Sequence, residues 1–215
     1  MLVNNFYLNT AIILVSCSLI GSIPSAYIAG KIKGVDISKK GNKKVGASNT
    51  FFYLGKILGI IVLIIDMGKG YLTVWLATIL SNSHPFVPML AAVAVIAGHN
   101  WMLFIGFKGG KGTAALLGAL IYLAPLSIPV LFIVFIPIAS ILLKDTYLGQ
   151  GVAMFFFSFL MWLWKGSYYW CIFMLLVTLV YSLRCLYLYK TYFTEKRRYI
   201  NPIVKIIFKK FLKGV

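Results

Sequence analysis

The string GHNWMLFIGFKGGKG, residues Gly98–Gly112, joins an apolar run over Met89–Ala97 to another that begins near Thr113. Its end, Lys108-Gly109-Gly110-Lys111-Gly112, places three glycines and two lysines at the edge of a membrane. Glycine lets backbone N–H groups approach a ligand closely and accepts positive φ. Bare N–H groups beside two ammonium groups make an anion-binding concavity. A helix opening at Thr113 adds the field of its N-terminus. The stretch therefore reads as a polar connection between two membrane spans that can hold a phosphate. The same residues also suit a tight cytoplasmic turn with two topogenic lysines. A Walker A loop is excluded, because the G-x-x-x-x-G-K-[ST] spacing is absent.

The rest of the chain fits a lipid setting. It has 215 residues, 61% of them hydrophobic, and a mean hydropathy of +0.92, which marks an integral membrane protein. Lys and Arg number 21 against 4 Asp and Glu. No soluble domain exists to present that charge to nucleic acid, so no nucleic-acid partner is expected. Cytoplasmic loops beside anionic membrane lipid account for it, and anionic substrates benefit from it. Cys17, Cys171 and Cys185 sit in or near apolar runs without metal-ligand spacing and read as small buried hydrophobes. No Lys or Arg precedes the first apolar run, so it lacks the n-region of a cleaved signal peptide.

The first span runs from about Tyr7 to Ala29 and carries Gly21, Ser22, Pro24, Ser25 and Gly30, residues that suit close packing or a loosened backbone. A lysine-rich segment, Lys31–Asn49, follows. The apolar stretch from Phe51 to Leu80 is too long for one straight crossing and reads as a long or broken helix. Further spans are expected over Met89–Ile105, Thr113–Leu123, Val130–Leu143, Val152–Trp164 and Tyr168–Tyr189. The fold class is an all-α integral membrane protein with about seven transmembrane helices. The basic clusters at Lys31–Lys56, Lys108/Lys111, Lys144 and from Arg184 onward then share one face. That puts the N-terminus outside and the C-terminus in the cytoplasm. Residues 1–189 form one transmembrane domain in this reading. Residues 190–215 form a basic cytoplasmic tail, where Asn201-Pro202 opens an amphipathic interfacial helix with Lys205, Lys209 and Lys213 on one face. No oligomeric state is specified by these features.

Three polar clusters share the cytoplasmic side. The first spans Gly41–Asn49 and offers Asn42, Lys43, Lys44, Ser48 and Asn49. The second is Asp66 with Lys69, three residues apart and able to pair on one helix face inside an apolar segment. These two either serve a site or simply neutralise each other. The third is His99-Asn100 with the Lys108–Gly112 loop. His99 suits a general base or a phosphate donor, and equally a helix-end histidine bonded to backbone. No zinc spacing, nucleophile elbow or dinucleotide fingerprint occurs.

Taken in order, G-S-I-P-S-A-Y at Gly21–Tyr27, G-N-K-K-V-G-A-S-N at Gly41–Asn49, L-G-K at Leu54–Lys56, D-M-G-K-G at Asp66–Gly70 and the series from Ala97 to Ala114 resemble the PlsY family. These are bacterial acyl-phosphate-dependent glycerol-3-phosphate acyltransferases. The resemblance implies a small seven-span protein of the bacterial cytoplasmic membrane with a cytoplasmic site. It implies acyl transfer from acyl-phosphate to the 1-hydroxyl of glycerol-3-phosphate, giving lysophosphatidic acid for phospholipid biosynthesis, with no metal, coenzyme A or other cofactor. It places the phosphates at Lys108, Gly109, Gly110, Lys111 and Gly112. The chain departs from the family pattern at several positions. Asn42 and Lys44 stand where serine and asparagine are usual, Ser48 replaces threonine, and Phe52 occupies an arginine position. Near Thr146–Gly149 the family's serine is missing, and no histidine lies between Leu183 and Arg198. The alternative these departures leave is a relative that binds acyl-phosphate or lipid phosphate without catalysis, or that serves another phosphorylated acceptor.

Overall fold

A computed structural model describes residues 2–41, 43–81 and 84–195, with side chains over 6–41, 43–81 and 84–188. Asn42 and the expected helix from Asn201 lie outside the described residues. Every regular element among those described is helical. The α-helices are α1 (Leu2–Ser22), α2 (Ser25–Ile32), α3 (Ala47–Tyr53), α4 (Lys56–Leu80), α5 (Val87–Asn100), α6 (Thr113–Leu123), α7 (Ile136–Leu143), α8 (Thr146–Lys165) and α9 (Tyr168–Glu195). Five helical stretches are long and apolar enough to cross a membrane: Phe6–Ile32, Lys56–Leu80, Val87–Ile105, Thr146–Lys165 and Tyr168–Leu188. Two shorter apolar stretches, Thr113–Leu123 and Pro129–Leu143, accompany them. The all-α reading holds, with its apolar segments divided into long and short.

The chain forms two compact units, Met1–Ile128 and Pro129–Val215. In the first, α1 packs on α5, and α4 packs on both α5 and α6. Small residues set these approaches, as they do wherever lipid removes the hydrophobic drive between helices. A Cβ on Gly98 would lie 2.0 Å from the Ser18 carbonyl oxygen, and one on Gly118 would lie 1.9 Å from that of Met67.

Two breaks shape this unit. The first falls at Ile23-Pro24, between α1 and α2. Proline has no N–H to donate to the preceding turn, and its ring crowds the carbonyl four residues back, so the helix must reset there. The second falls at Leu54-Gly55, where Gly55 has φ +112°, a conformation that favours glycine. The long apolar stretch from Phe51 therefore belongs to two helices. The short α3 folds back on α4, so that a Cβ on Gly59 would meet the Phe51 backbone.

The second unit differs from the sequence reading in its boundaries. A π-helical turn over Pro129–Phe135 leads into α7. Lys144 then adopts a left-handed conformation, and α8 begins at Thr146, six residues before the expected Val152. The cause is Asp145, whose Oδ1 accepts from Tyr147 N (2.8 Å) and Leu148 N (2.9 Å) and so caps two otherwise orphaned donors. The last helix continues without interruption to Glu195. Arg184, which the charge pattern groups with the cytoplasmic tail, is buried on α9, with its guanidinium 5.0 Å from the Tyr187 ring centroid.

Candidate active site

The break at Pro24 is where the site begins. Ser25 opens α2 and donates its hydroxyl to Asp66 Oδ1 at 2.6 Å. Asp66 lies on α4, one turn before Lys69, and the two side chains are 2.7 Å apart. Lys69 Nζ also donates to the Ile23 carbonyl at 2.6 Å and lies 3.3 Å from Ser25 Oγ. Both charges are buried, Asp66 at 1% and Lys69 at 6% exposure. The expected i, i+3 pair therefore forms, and the helix break supplies its other partners. A buried pair is tolerable only when its remaining groups are satisfied, and the loosened backbone at Ile23 provides that satisfaction for the cation. Asp66 Oδ2 has no hydrogen-bond partner among the described residues.

On the other side of Asp66 stands His99, at the end of α5, with Nδ1 3.7 Å from Asp66 Oδ1. It is 3% exposed. The chain leaves α5, makes a 3₁₀ turn over Leu103–Ile105 and returns across the helix end. Gly110 N donates to the His99 carbonyl at 3.1 Å. A Cβ on Gly110 would lie 2.3 Å from His99 Nε2, so the imidazole sits flush against the loop backbone. Gly109 passes over the carbonyls of His99 and Asn100 just as closely. Gly112, at φ +74° and ψ +5°, is the residue from which α6 starts. The glycines are thus required by contact at two positions and by conformation at a third, and Thr113 does open a helix.

The two lysines of the loop occupy different settings. Lys108 is exposed and borders a cavity of about 420 Å³ together with Tyr27, Asp36, Ser38, Lys39 and Gly106. Lys111 is half-buried beside Gly110 and Gly112. In that cavity wall Asp36 accepts from the Ser38 hydroxyl (2.7 Å) and the Ser38 amide (3.1 Å), with Lys39 3.6 Å away. The Ser38 hydroxyl, chiefly, holds the Asp36 carboxyl below its ordinary value; burial opposes it, and the Ser38 amide, Lys39 and Lys31 add to the lowering.

The first polar cluster meets the loop through backbone. The Val45 carbonyl lies 3.1 Å from where a Cβ on Gly110 would be. Asn49 is buried, and its Nδ2 approaches the carbonyls of Ile37 (3.2 Å), Lys40 (3.0 Å) and Lys44 (3.0 Å), so its amide shapes the segment before α3. Lys44 is half-buried and Ser48 is exposed on the first turn of α3. Phe52, at the position where the resemblance puts arginine, is 83% exposed.

Some residues of interest carried weak signals. Ser25 follows Pro24 directly, and a hydroxyl just after a helix break inside a span is a natural partner for a buried charge. Asn100 is fully buried, and neither amide atom has a hydrogen-bond partner among the described residues, although a Cβ on Gly112 would come within 3.0 Å of its Oδ1. In the second unit Tyr181 donates to Gln150 Oε1 at 2.6 Å, joining α8 to α9. Among the described residues no three of His, Cys, Asp and Glu gather as a metal site would need.

The molecule is thus an integral, multi-pass membrane protein whose glycine- and lysine-rich loop rests on a buried charged cluster. A family model for glycerol-3-phosphate acyltransferase matches residues 11–192. Glycerol-3-phosphate acyltransferase 2 of Dehalococcoides mccartyi is 39% identical over 165 residues, covering 76% of this chain and 77% of that one. Glycerol-3-phosphate acyltransferase 2 of Moorella thermoacetica is 42% identical over 139 residues, covering 64% and 69%. The chain belongs to the glycerol-3-phosphate acyltransferase family. It also shares the fold of crystalline PlsY, an integral membrane glycerol 3-phosphate acyltransferase. The glycerol 3-phosphate form superposes with a TM-score of 0.72 at 24% identity, over 91% of this chain and 98% of that one. The lysophosphatidic acid form gives 0.71.

Proposed function

We propose that the chain is a membrane acyltransferase that moves an acyl group from acyl-phosphate to glycerol-3-phosphate and releases lysophosphatidic acid and phosphate. Family membership supports the acceptor and the product, and the observation that carries the chemistry is the loop from Lys108 to Gly112. Its backbone is held open by close contacts that only glycine allows, and it ends where α6 begins. Both substrates bring a phosphate, and neutralising and orienting two anions is the main obstacle to bringing them together.

In the transfer the acceptor hydroxyl oxygen bonds to the acyl carbon, and the bond from that carbon to the phosphate oxygen breaks. The hydroxyl proton ends on the departing phosphate. Lys111 is assigned to the phosphate of glycerol-3-phosphate at the loop, together with the backbone at Gly109, Gly110 and Gly112. Lys108, on the cavity beside Lys39, is assigned to the approach of the anionic acceptor. Asn42, Lys44 and Ser48 are assigned to substrate binding, with Lys44 as a point charge in place of the arginine that Phe52 displaces. The basic segments put the loop on the cytoplasmic side, the N-terminus outside and the 190–215 tail on the anionic inner leaflet.

The test uses purified protein in nanodiscs with palmitoyl phosphate and glycerol-3-phosphate. Protein-dependent release of inorganic phosphate together with lysophosphatidic acid is the expected result. Phosphate release without lysophosphatidic acid would reject the acceptor, and folded protein yielding neither product would reject the activity.

A further inference from the structure

Asp66 and Lys69 stand in the right place for a site, but their bonds point elsewhere. An ammonium group has three donors. Those of Lys69 meet Asp66 Oδ1, the Ile23 carbonyl and Ser25 Oγ, at 2.7, 2.6 and 3.3 Å, all inside the protein. None is left for a substrate phosphate. Asp66 is an anion at 1% exposure, which repels a phosphate rather than binding it. Neither residue is therefore a substrate ligand. What Asp66 does approach is His99, through Nδ1 at 3.7 Å, while Nε2 lies against the loop.

We propose that Ser25, Asp66 and Lys69 are positioning residues for the phosphate loop, acting through the His99 imidazole. The inference rests on the reading that this loop receives phosphate. Lys69 and Ser25 fix the carboxylate. The carboxylate lies 3.7 Å from Nδ1, beyond hydrogen-bond length, and Nδ1 has no hydrogen-bond partner among the described residues. The negative charge beside it is therefore what favours a proton at Nδ1 and biases the ring tautomer and orientation. The Nε2 edge then lies against Gly110, and the His99 carbonyl accepts from Gly110 N. A shift of the ring displaces the loop at its central glycine. The helix break at Pro24 is thus connected to the phosphate loop through one continuous line of contacts. Gly110 has no side chain because the imidazole occupies that space.

The test separates this role from simple structural support. The chain has two histidines. His84 is exposed and lies against Phe6, so His84→Gln leaves His99 as the sole imidazole without touching the site. In that background, ¹⁵N imidazole spectra in nanodiscs read the His99 tautomer directly. Asp66→Asn is expected to move the His99 signals away from the Nδ1-protonated pattern. It is also expected to raise KM for glycerol-3-phosphate about five- to tenfold while kcat stays within about twofold. Ser25→Ala keeps the Asp66–Lys69 pair and so guards against loss of fold. It is expected to move both readouts the same way, with KM rising about two- to threefold. Gly110→Ala is expected to lose acceptor binding and to regain part of it when combined with His99→Ala, since the clash is between those two groups.

Unchanged His99 signals in Asp66→Asn would overturn the proposal. So would folded, active variants of Ser25 and Asp66 with an unaltered KM. A parent protein that never consumes glycerol-3-phosphate would reject the assigned reaction instead, and the spectra would still decide whether Asp66 governs the ring.

Discussion

Removing the cation from the buried pair is the sharpest test of how the helix break is held. Lys69→Met keeps the length of the side chain and deletes three contacts, those to Asp66, the Ile23 carbonyl and Ser25. The Asp66 carboxylate, 1% exposed, is left with the Ser25 hydroxyl as its only hydrogen-bond donor among the described residues. Breaking one side of a buried pair costs about 3–5 kcal/mol, because the surviving charge remains desolvated. For a chain of this length each kcal/mol moves Tm by about 2–4 °C, so a fall of roughly 6–20 °C is expected. The double variant Asp66→Asn/Lys69→Met removes both charges and retains an acceptor for Ser25. The Ile23 carbonyl still loses its ammonium donor, which costs about 1–3 kcal/mol. At the middle of both ranges the double variant is therefore expected to recover about half of the single variant's loss. The assay is thermal unfolding in one detergent, followed by intrinsic fluorescence and by loss of the monodisperse peak. A single variant that loses less than about 1 kcal/mol, or a double variant no better than the single, would refute the reasoning.

Lys111→Ala is expected to abolish turnover while Tm stays close to that of the parent; normal lysophosphatidic acid production in that variant would remove Lys111 from the site. Gly118→Val places its Cβ 1.9 Å from the Met67 carbonyl oxygen, so α4 and α6 must part, and little folded protein should survive extraction in detergent. Asp145→Ala deletes the acceptor for Tyr147 N and Leu148 N and should cost about 1 kcal/mol of stability, read from the unfolding midpoint. Asp36 has its carboxyl held below the ordinary value, so its contribution is complete above that ordinary value and fades as pH falls through the lowered one. Its carboxylate resonance should therefore stay flat from pH 7 down to 5 and titrate only below the usual aspartate range.

Much of this fold was readable because lipid imposes simple demands. Long apolar runs, a proline inside the first and an Asp–Lys pair three residues apart within another were all visible, and each became what its chemistry required. Lys108–Gly112 was legible for the same reason, since glycine at such density has few purposes other than close backbone approach. What escaped was the set of partners that tertiary contact creates. Nothing local says that Lys69 would reach the Ile23 carbonyl, 46 residues earlier, or that His99 would lie between Asp66 and Gly110. The start of α8 was missed because the apolar pattern begins at Val152, whereas the helix is set by a cap at Asp145. Arg184 was assigned by charge to the tail, although it sits within the apolar run from Tyr168. Burial of that guanidinium is a result of tertiary packing, which periodicity alone does not reveal.

Oxygen labelling tests the central claim most directly. Glycerol-3-phosphate carrying ¹⁸O at its 1-hydroxyl would be incubated with palmitoyl phosphate and the purified protein in nanodiscs, and the products analysed by mass. The account requires lysophosphatidic acid that retains the label in its ester linkage, with none in the released phosphate. Free palmitate carrying solvent oxygen, with no labelled lysophosphatidic acid, would show a hydrolase and contradict it.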